Sequence, residues 1–329
     1  MNKTIHTVRG TIAPEKLGFC QPHEHLFTAE GPAGPANQAL PIDDIEKSAI
    51  DAVSYRDAGG RAVVDAQPLF TGRDAAALKQ ISEKSDIHII ASTGFHNLFY
   101  YSDDNRLPGL DEEELTAVFI EEIRDGMYAD AFFTERPART DIRAGQIKSA
   151  LEKDFTDTHK RLFTAAASAS AETGAPVMIH VDKDAEPLKL MEFFGSLGVE
   201  PDRQIYCHMD RAINDISVHK EIAKAGAYVE YDTIARPKYH SDEIEKAMIF
   251  DMLESGFEGS LLMSLDMTRA RLKGYGGAPG LDYILKSYIP ELKKAGVDGK
   301  LLDKIFIGNP AEAFAFSRGS RWDSCRCGV

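Results

Sequence analysis

Short runs of aliphatic and β-branched residues alternate with longer amphipathic stretches from one end of this chain to the other. A brief, continuous apolar run bounded by turn residues reads as a strand buried on both faces, and a run with apolar positions every three to four residues reads as a helix. On that basis strands are expected at roughly 17–20, 61–65, 87–92, 143–148, 176–180, 204–208, 227–231 and 261–266. Helices are expected at roughly 42–58 (stopped by Gly59-Gly60), 73–84, 110–128, 157–173, 185–197, 213–225 (capped by Gly226), 242–254, 281–295 and 309–316. Eight β/α alternations with fully apolar strands predict an α/β fold closed as a (β/α)8 TIM barrel in a single domain. An open, doubly wound sheet is the alternative. No repeat, low-complexity linker or composition break marks a second domain. The barrel is assigned to 1–317, and 318–329, which lacks periodicity, to a disordered tail containing Cys325 and Cys327.

Composition narrows the class of partner. With 43% hydrophobic and 27% charged residues, the 329-residue chain has the make-up of a globular protein with an ample core. A formal charge of −14 argues against phosphate-mediated nucleic-acid binding and against an anionic membrane surface. It leaves room for a small anionic substrate in a locally basic pocket. No run reaches the length of a membrane span, and the first ten residues lack the apolar core of a signal peptide. Four cysteines, Cys20, Cys207, Cys325 and Cys327, build no disulfide framework, so a cytoplasmic location is expected.

Candidate chemistry falls at the ends of the expected strands, where parallel barrels carry their active groups. The segment Gln21-Pro22-His23-Glu24-His25-Leu26 places two imidazoles two residues apart. Extended backbone points them the same way, as a divalent metal requires. Lys148 ends the fourth run, His180 the fifth, His208 the sixth and Asp266 the eighth. A lone histidine at a strand end is commonly a hydrogen-bonded rim residue; the joint pattern is what points to a metal centre. His96 reads as a rim residue, and His6, His88, His159, His219 and His240 as structural. Cys207, next to His208 in a strand, is expected to face away from the site.

The ordered set His-x-His, Lys, His, His, Asp resembles the phosphotriesterase-like branch of the amidohydrolase superfamily. The resemblance runs from the Gln21–Leu26 entry to Gly308-Asn309-Pro310-Ala311, and Arg143-Ala144-Gly145-Gln146-Ile147-Lys148 is similar to the family's strand-four motif. It implies two divalent metals, zinc by default, with manganese, cobalt or iron as alternatives. His23, His25 and Asp266 would hold one metal, and His180 and His208 the other. Lys148, carboxylated by carbon dioxide, would bridge them. A hydroxide shared by metals about 3.5–4 Å apart would attack a carbonyl or phosphoryl centre. Asp266 would pass the proton to the leaving group.

Substrate choice is expected in the loops after strands three, seven and eight. Lys238 and Arg269 resemble the phosphate-holding pair of a subgroup that opens phosphorylated sugar lactones; Leu272 stands where that subgroup has a tyrosine, which Tyr275 or Tyr239 would replace. Arg271 joins these basic residues, and Tyr100 and Tyr101 lie where lactonase relatives place an aromatic near the metals. The glycine-rich run Gly274–Gly280 reads as a tight connection, not a dinucleotide fingerprint. The expected activity is therefore opening of a small lactone, phosphorylated or not, by a binuclear centre. The alternatives are a phosphotriesterase with the same centre and a non-catalytic ligand-binding barrel. Resemblance also implies a homodimer.

Overall fold

The computed structural model describes residues 3–31, 41–103, 105–129, 131–132 and 138–316. The expected tail with Cys325 and Cys327 lies outside the described residues. A hairpin of β1 (Ile5–Thr7) and β2 (Gly10–Ile12) opens the chain; its strands are too short for the hydrophobic pattern to register. The main sheet follows as β3 (Cys20–Glu24), β4 (Ala62–Asp65), β5 (His88–Gly94), β6 (Gln146–Leu151), β7 (Val177–Val181), β8 (Gln204–Cys207), β9 (Tyr228–Tyr231) and β10 (Leu261–Met263). Successive strands pair in parallel throughout. Beyond β10 the chain returns to β3 and closes the sheet. The Asp266 N–H donates to the His23 carbonyl at 3.1 Å, and the Glu24 carboxylate accepts from the N–H groups of Leu265 (3.0 Å) and Met267 (3.1 Å). The fold is the expected (β/α)8 barrel.

The strands are buried on both faces because they serve two cores. Val63, Ile89, Ile147, Ile179 and Val229 pack outward against the helices. Ala62, Val64, Ile90, Met178 and Ile205 fill the barrel interior, where Ile5, Leu17 and Phe314 join them. Helices stop and start at local signals. Asp111 and Thr156 form capping boxes at the helices Glu112–Arg124 and Asp157–Thr173, and Gly174 and Gly226 close helices at φ 77° and 97°. The Thr156 box uses His159, the structural role expected of it.

Two strand boundaries depart from expectation. β3 starts at Cys20 and runs through His23, because Gln21, His23 and Glu24 are buried polar residues, Gln21 donating to Glu24 at 2.8 Å, and they hide the strand from a hydrophobicity reading. β6 starts at Gln146, so Lys148 lies within the strand and not at its end. The preceding Gly145 passes so close to the hairpin that a Cβ there would fall 2.5 Å from the His6 carbonyl oxygen.

Outside the barrel, buried Asp282 ties the glycine-rich connection to helix Ile45–Asp57, accepting from Ser54 at 2.7 Å and from Lys273 and Lys286. Burial opposes its ionised form, but these three partners outweigh it and hold the carboxyl down at about 2. A depressed carboxylate stabilises the fold above its unfolded value near 3.8 and loses that contribution as pH falls through about 2. Both lysine ammoniums are solvent-screened, which trims the gain to about 1 kcal/mol. Asp282→Asn should therefore lower stability in urea titrations at pH 7, and the difference from wild type should close between pH 4 and 2; a gap that stays constant with pH would count against the ion-pair account.

Candidate metal centre

All six expected ligands line one cavity of about 560 Å³ at the C-terminal ends of the strands. His23 and His25 come from β3 and the residue beyond it. Lys148 rises from β6, His180 from β7, His208 follows β8 and Asp266 follows β10. Lys148 Nζ lies 3.3 Å from His23 Nε2. His25 Nε2 lies 3.6 Å from Asp266 Oδ1, and His208 Nε2 lies 2.8 Å from His180 Nδ1.

The outer partners of these rings determine which nitrogens face inward. Asp232 Oδ1 sits 2.6 Å from His208 Nδ1, and its Oδ2 accepts the His208 backbone N–H at 2.9 Å. Asp182 Oδ1 sits 2.9 Å from His180 Nε2, and its Oδ2 accepts from the Asn97 amide at 2.6 Å. With each carboxylate taking a ring N–H, His208 Nε2 and His180 Nδ1 point lone pairs at each other. Such a pair of donors needs a cation. Burial pushes the His180 imidazole down and His208 well down, and it takes His25 to about 3, so all three stand neutral and ready to ligate. His23 differs: burial and Lys148 lower it, but Cys207 and Asp232 raise it well above the usual value. Asp266 is likewise held far below the usual carboxylate range, burial being outweighed by Arg236, His208, His23 and Arg211. The donor set fits a pair of divalent ions.

Backbone geometry at the site is unusual. His208 and Asp266 both adopt left-handed φ, 61° and 48°, which costs about 1–3 kcal/mol for a non-glycine residue. Glu24 supplies part of the constraint at Asp266, because its carboxylate grips the amides on either side of that residue. The turn at His208 also explains a correction. Cys207 does not face away: its thiol donates to Glu230 at 3.1 Å, and it lies with His23, Glu230 and Asp232 beneath the site. Side-chain alternation ends where the backbone turns left-handed, so Cys207 and His208 share the inner face.

The expected substrate residues divide. Tyr100, Lys238 and Arg271 line the cavity. Tyr100 stacks on His96 with ring centroids 4.1 Å apart, and burial with Asp266 pushes its hydroxyl up to about 12. Arg269 and Tyr275 do not line it. Arg269 donates at 2.9 Å both to the Pro41 carbonyl and to Asp43, and stacks on Tyr275, whose hydroxyl donates to the Asp44 carbonyl at 3.0 Å. The 3-10 turn Arg269–Arg271 sends the first arginine outward to a neighbouring loop and the last inward. Gly274–Gly280 makes the expected connection: the Lys273, Gly274 and Leu281 N–H groups bond Asp51.

Arg211 was not singled out by sequence, whereas Arg236 lies in the loop after the seventh expected strand, whose basic residues are expected to overlook the metals. Arg236 bonds Asp266 directly, and Arg211 Nη2 lies 3.9 Å from the same carboxylate while donating to the Tyr239 hydroxyl. Arg211 stands three residues after His208, about one helical turn on, which is the signal that could have found it. Asp232 closes an apolar run as the other site residues do, and that signal was legible.

A family model described as the Phosphotriesterase family matches residues 3–314. The N-acetyltaurine hydrolase of Danio rerio is 28% identical, covering 95% of this chain and 98% of that protein. A phospho-furanose lactonase of Mycoplasmopsis agalactiae is 26% identical, covering 99% of this chain and 95% of that protein. Among solved structures, a lactonase from Listeria monocytogenes superposes with a TM-score of 0.87 at 30% identity, covering 96% of this chain and 100% of that one.

Proposed function

This chain belongs to the phosphotriesterase family, and from that premise we propose that it is a metal-dependent hydrolase that opens a small lactone bearing an anionic group. The observation that carries the anionic group is Arg271. It is 7% exposed and faces the cavity, yet among the described residues its Nε and Nη1 make no hydrogen bond, and only Nη2 is engaged, with the Ile234 carbonyl at 2.8 Å. Burial, reinforced by Arg236, lowers this guanidinium to about 10 against the opposing pull of Asp266, Glu24 and Asp242. A planar donor pair of this kind suits a phosphate, sulfonate or carboxylate. Lys238 and Arg211 add positive charge on the same wall.

His23, His25 and Asp266 would hold one metal, His180 and His208 the other, and Lys148, as a carbamate, both. Zinc suits the imidazole-rich set. When bound, the pair would supply Lewis-acid polarisation of the carbonyl and a nucleophile ionised at neutral pH. The chain's own residues do the rest. Asp232 and Asp182 hold two imidazoles in the ligating tautomer. Tyr100 and Arg271 orient the substrate over the site. Asp266 takes the proton on a carboxylate oxygen and, being a weak base under the influence of Arg236 and Arg211, surrenders it readily to the leaving oxygen.

The relatives favour a second reading of the scissile bond. One is named for an N-acyl amino sulfonate and two for lactones; both chemistries attack a carbonyl carbon in a molecule that can carry a strong anion. A neutral phosphotriester would leave Arg271 uncompensated, and convergence of all six donors disfavours a non-catalytic barrel. Two free, buried cysteines, Cys20 and Cys207, support a cytoplasmic enzyme; a homodimer belongs to the same proposal, to be checked by light scattering.

The test is turnover of a phosphorylated γ-lactone, its unphosphorylated form and an N-acetylated amino sulfonate by the zinc-loaded protein. Arg271→Met should raise KM for the anionic substrate roughly ten- to hundredfold, the worth of a charge-assisted hydrogen bond of about 1.5–3 kcal/mol. KM for the neutral lactone should stay within about twofold. Equal effects on both substrates would remove Arg271 from anion recognition.

A further inference from the structure

Next to the loop that carries Arg236 and Lys238 lies a second cluster of ligand-type side chains from three separate elements. Asp210 comes from the short helix Met209–Ala212, His240 from the end of the loop after β9, and Glu245 from the helix Asp242–Glu254. One donor atom from each lies within 4.8 Å of the others. Asp210 is 4% exposed and Glu245 fully buried.

Their hydrogen bonding is incomplete. Asp210 Oδ2 accepts from the Asp232 N–H at 3.1 Å, the Thr233 N–H at 2.7 Å and the Thr233 hydroxyl. Among the described residues, Asp210 Oδ1, Glu245 Oε1 and the hydroxyl of Tyr288 find no hydrogen-bond donor, and Glu245 Oε2 has only its ion pair with His240. That hydroxyl is pushed up by burial and by Glu245. His240 Nε2 lies 3.2 Å from Glu245 Oε2 and 3.7 Å from Asp210 Oδ2, and 2.9 Å from the Thr233 hydroxyl. One imidazolium compensates one carboxylate, and two face it. Buried carboxylate oxygens that find no donor are exceptional in folded proteins and call for a ligand.

We propose that Asp210, His240 and Glu245 bind a third divalent cation, separate from the catalytic pair. One imidazole and two carboxylates suit zinc or manganese. A divalent ion neutralises both acids and uses the lone pairs that have no donor. Its role is architectural. It joins the turn after β8 and the loop after β9 to the helix Asp242–Glu254, fixing Asp210. Asp210 in turn holds the amides of Asp232 and Thr233, and Asp232 orients His208. The half-buried His240 gives the ion a route from solvent.

The full chain, loaded with Zn2+ and dialysed, is analysed for metal content and by anomalous diffraction at the zinc edge. The expected result is three zinc ions per chain, with a peak between Asp210, His240 and Glu245. Glu245→Gln should lose one ion and keep two. Lys148→Met should lose the catalytic pair and keep this one, so the outcome separates the third site from the reading of the first two. Full peaks at the catalytic pair with none at this cluster would overturn the proposal, the two carboxyls then sharing a proton. An unchanged metal count in Glu245→Gln would overturn it equally. If that variant does not fold, the wild-type anomalous map decides alone.

Discussion

Replacing Lys148 with methionine is expected to lower kcat by about 10⁴-fold or more, equivalent to roughly 5–6 kcal/mol of transition-state stabilisation, and to abolish binding of the catalytic metal pair. Lys148 is 1% exposed, and its nearest polar neighbour is His23 Nε2 at 3.3 Å. Among the described residues it takes part in no ion pair. A buried ammonium beside an imidazole, with no carboxylate paired to it, costs folding free energy and repels cations. The proposed carbamate on the same nitrogen would reverse both effects, supplying anionic oxygens where the other donors converge. Methionine keeps the volume and removes the charge. The metal-free variant should therefore melt at the same temperature as metal-free wild type or higher, whereas zinc should raise the melting temperature of wild type alone. Metal analysis with calorimetry on both proteins checks this. A variant that retains two zinc ions and near-normal turnover would sink the bridging role.

Asp266→Asn is expected to reduce kcat by about 10³-fold, within the range for losing an anionic ligand that also moves a proton. The amide fits the space of the acid. Arg236 and Arg211, however, lose the charge they share, and His25 loses its carboxylate partner. The loss should appear in kcat with little change in KM, because the proposed role of Asp266 is at the reacting centre and that of Arg271 at the substrate's anion. Folding should survive, since the Asp266 backbone is held independently: its N–H bonds the His23 carbonyl and Glu24 grips the amides on either side. A tenfold or greater rise in KM with kcat preserved would reverse the two roles.

How much of this was legible beforehand follows from what kind of signal each residue gives. His23, His25, His180, His208 and Asp266 could be read because each interrupts or closes an apolar run, and a barrel brings such ends to one face. Lys148 could be read only through family resemblance, since a single lysine carries no mark of burial. Arg269 is expected at the cavity from its resemblance to half of a phosphate-holding pair, and Tyr275 as the replacement for a tyrosine at Leu272; neither lines it. Position in a loop does not fix direction, and one 3-10 turn separates an outward arginine from an inward one. Cys207 was misjudged because strand alternation was carried one residue too far, to a backbone that had already turned left-handed at His208.

The order of apolar runs, by itself, determined that eight strands would alternate with helices and that imidazoles would gather at their ends. Periodicity is a local property, set by backbone geometry and by which faces must avoid water, so it is written in consecutive residues. Tertiary structure alone decided that Arg211 and Arg236 converge on Asp266, that Glu24 clamps the far end of the barrel, and that Asp210, His240 and Glu245 meet. Those pairings join residues brought together only by barrel closure and loop packing, and nothing in the chain between them records the distance that closure removes.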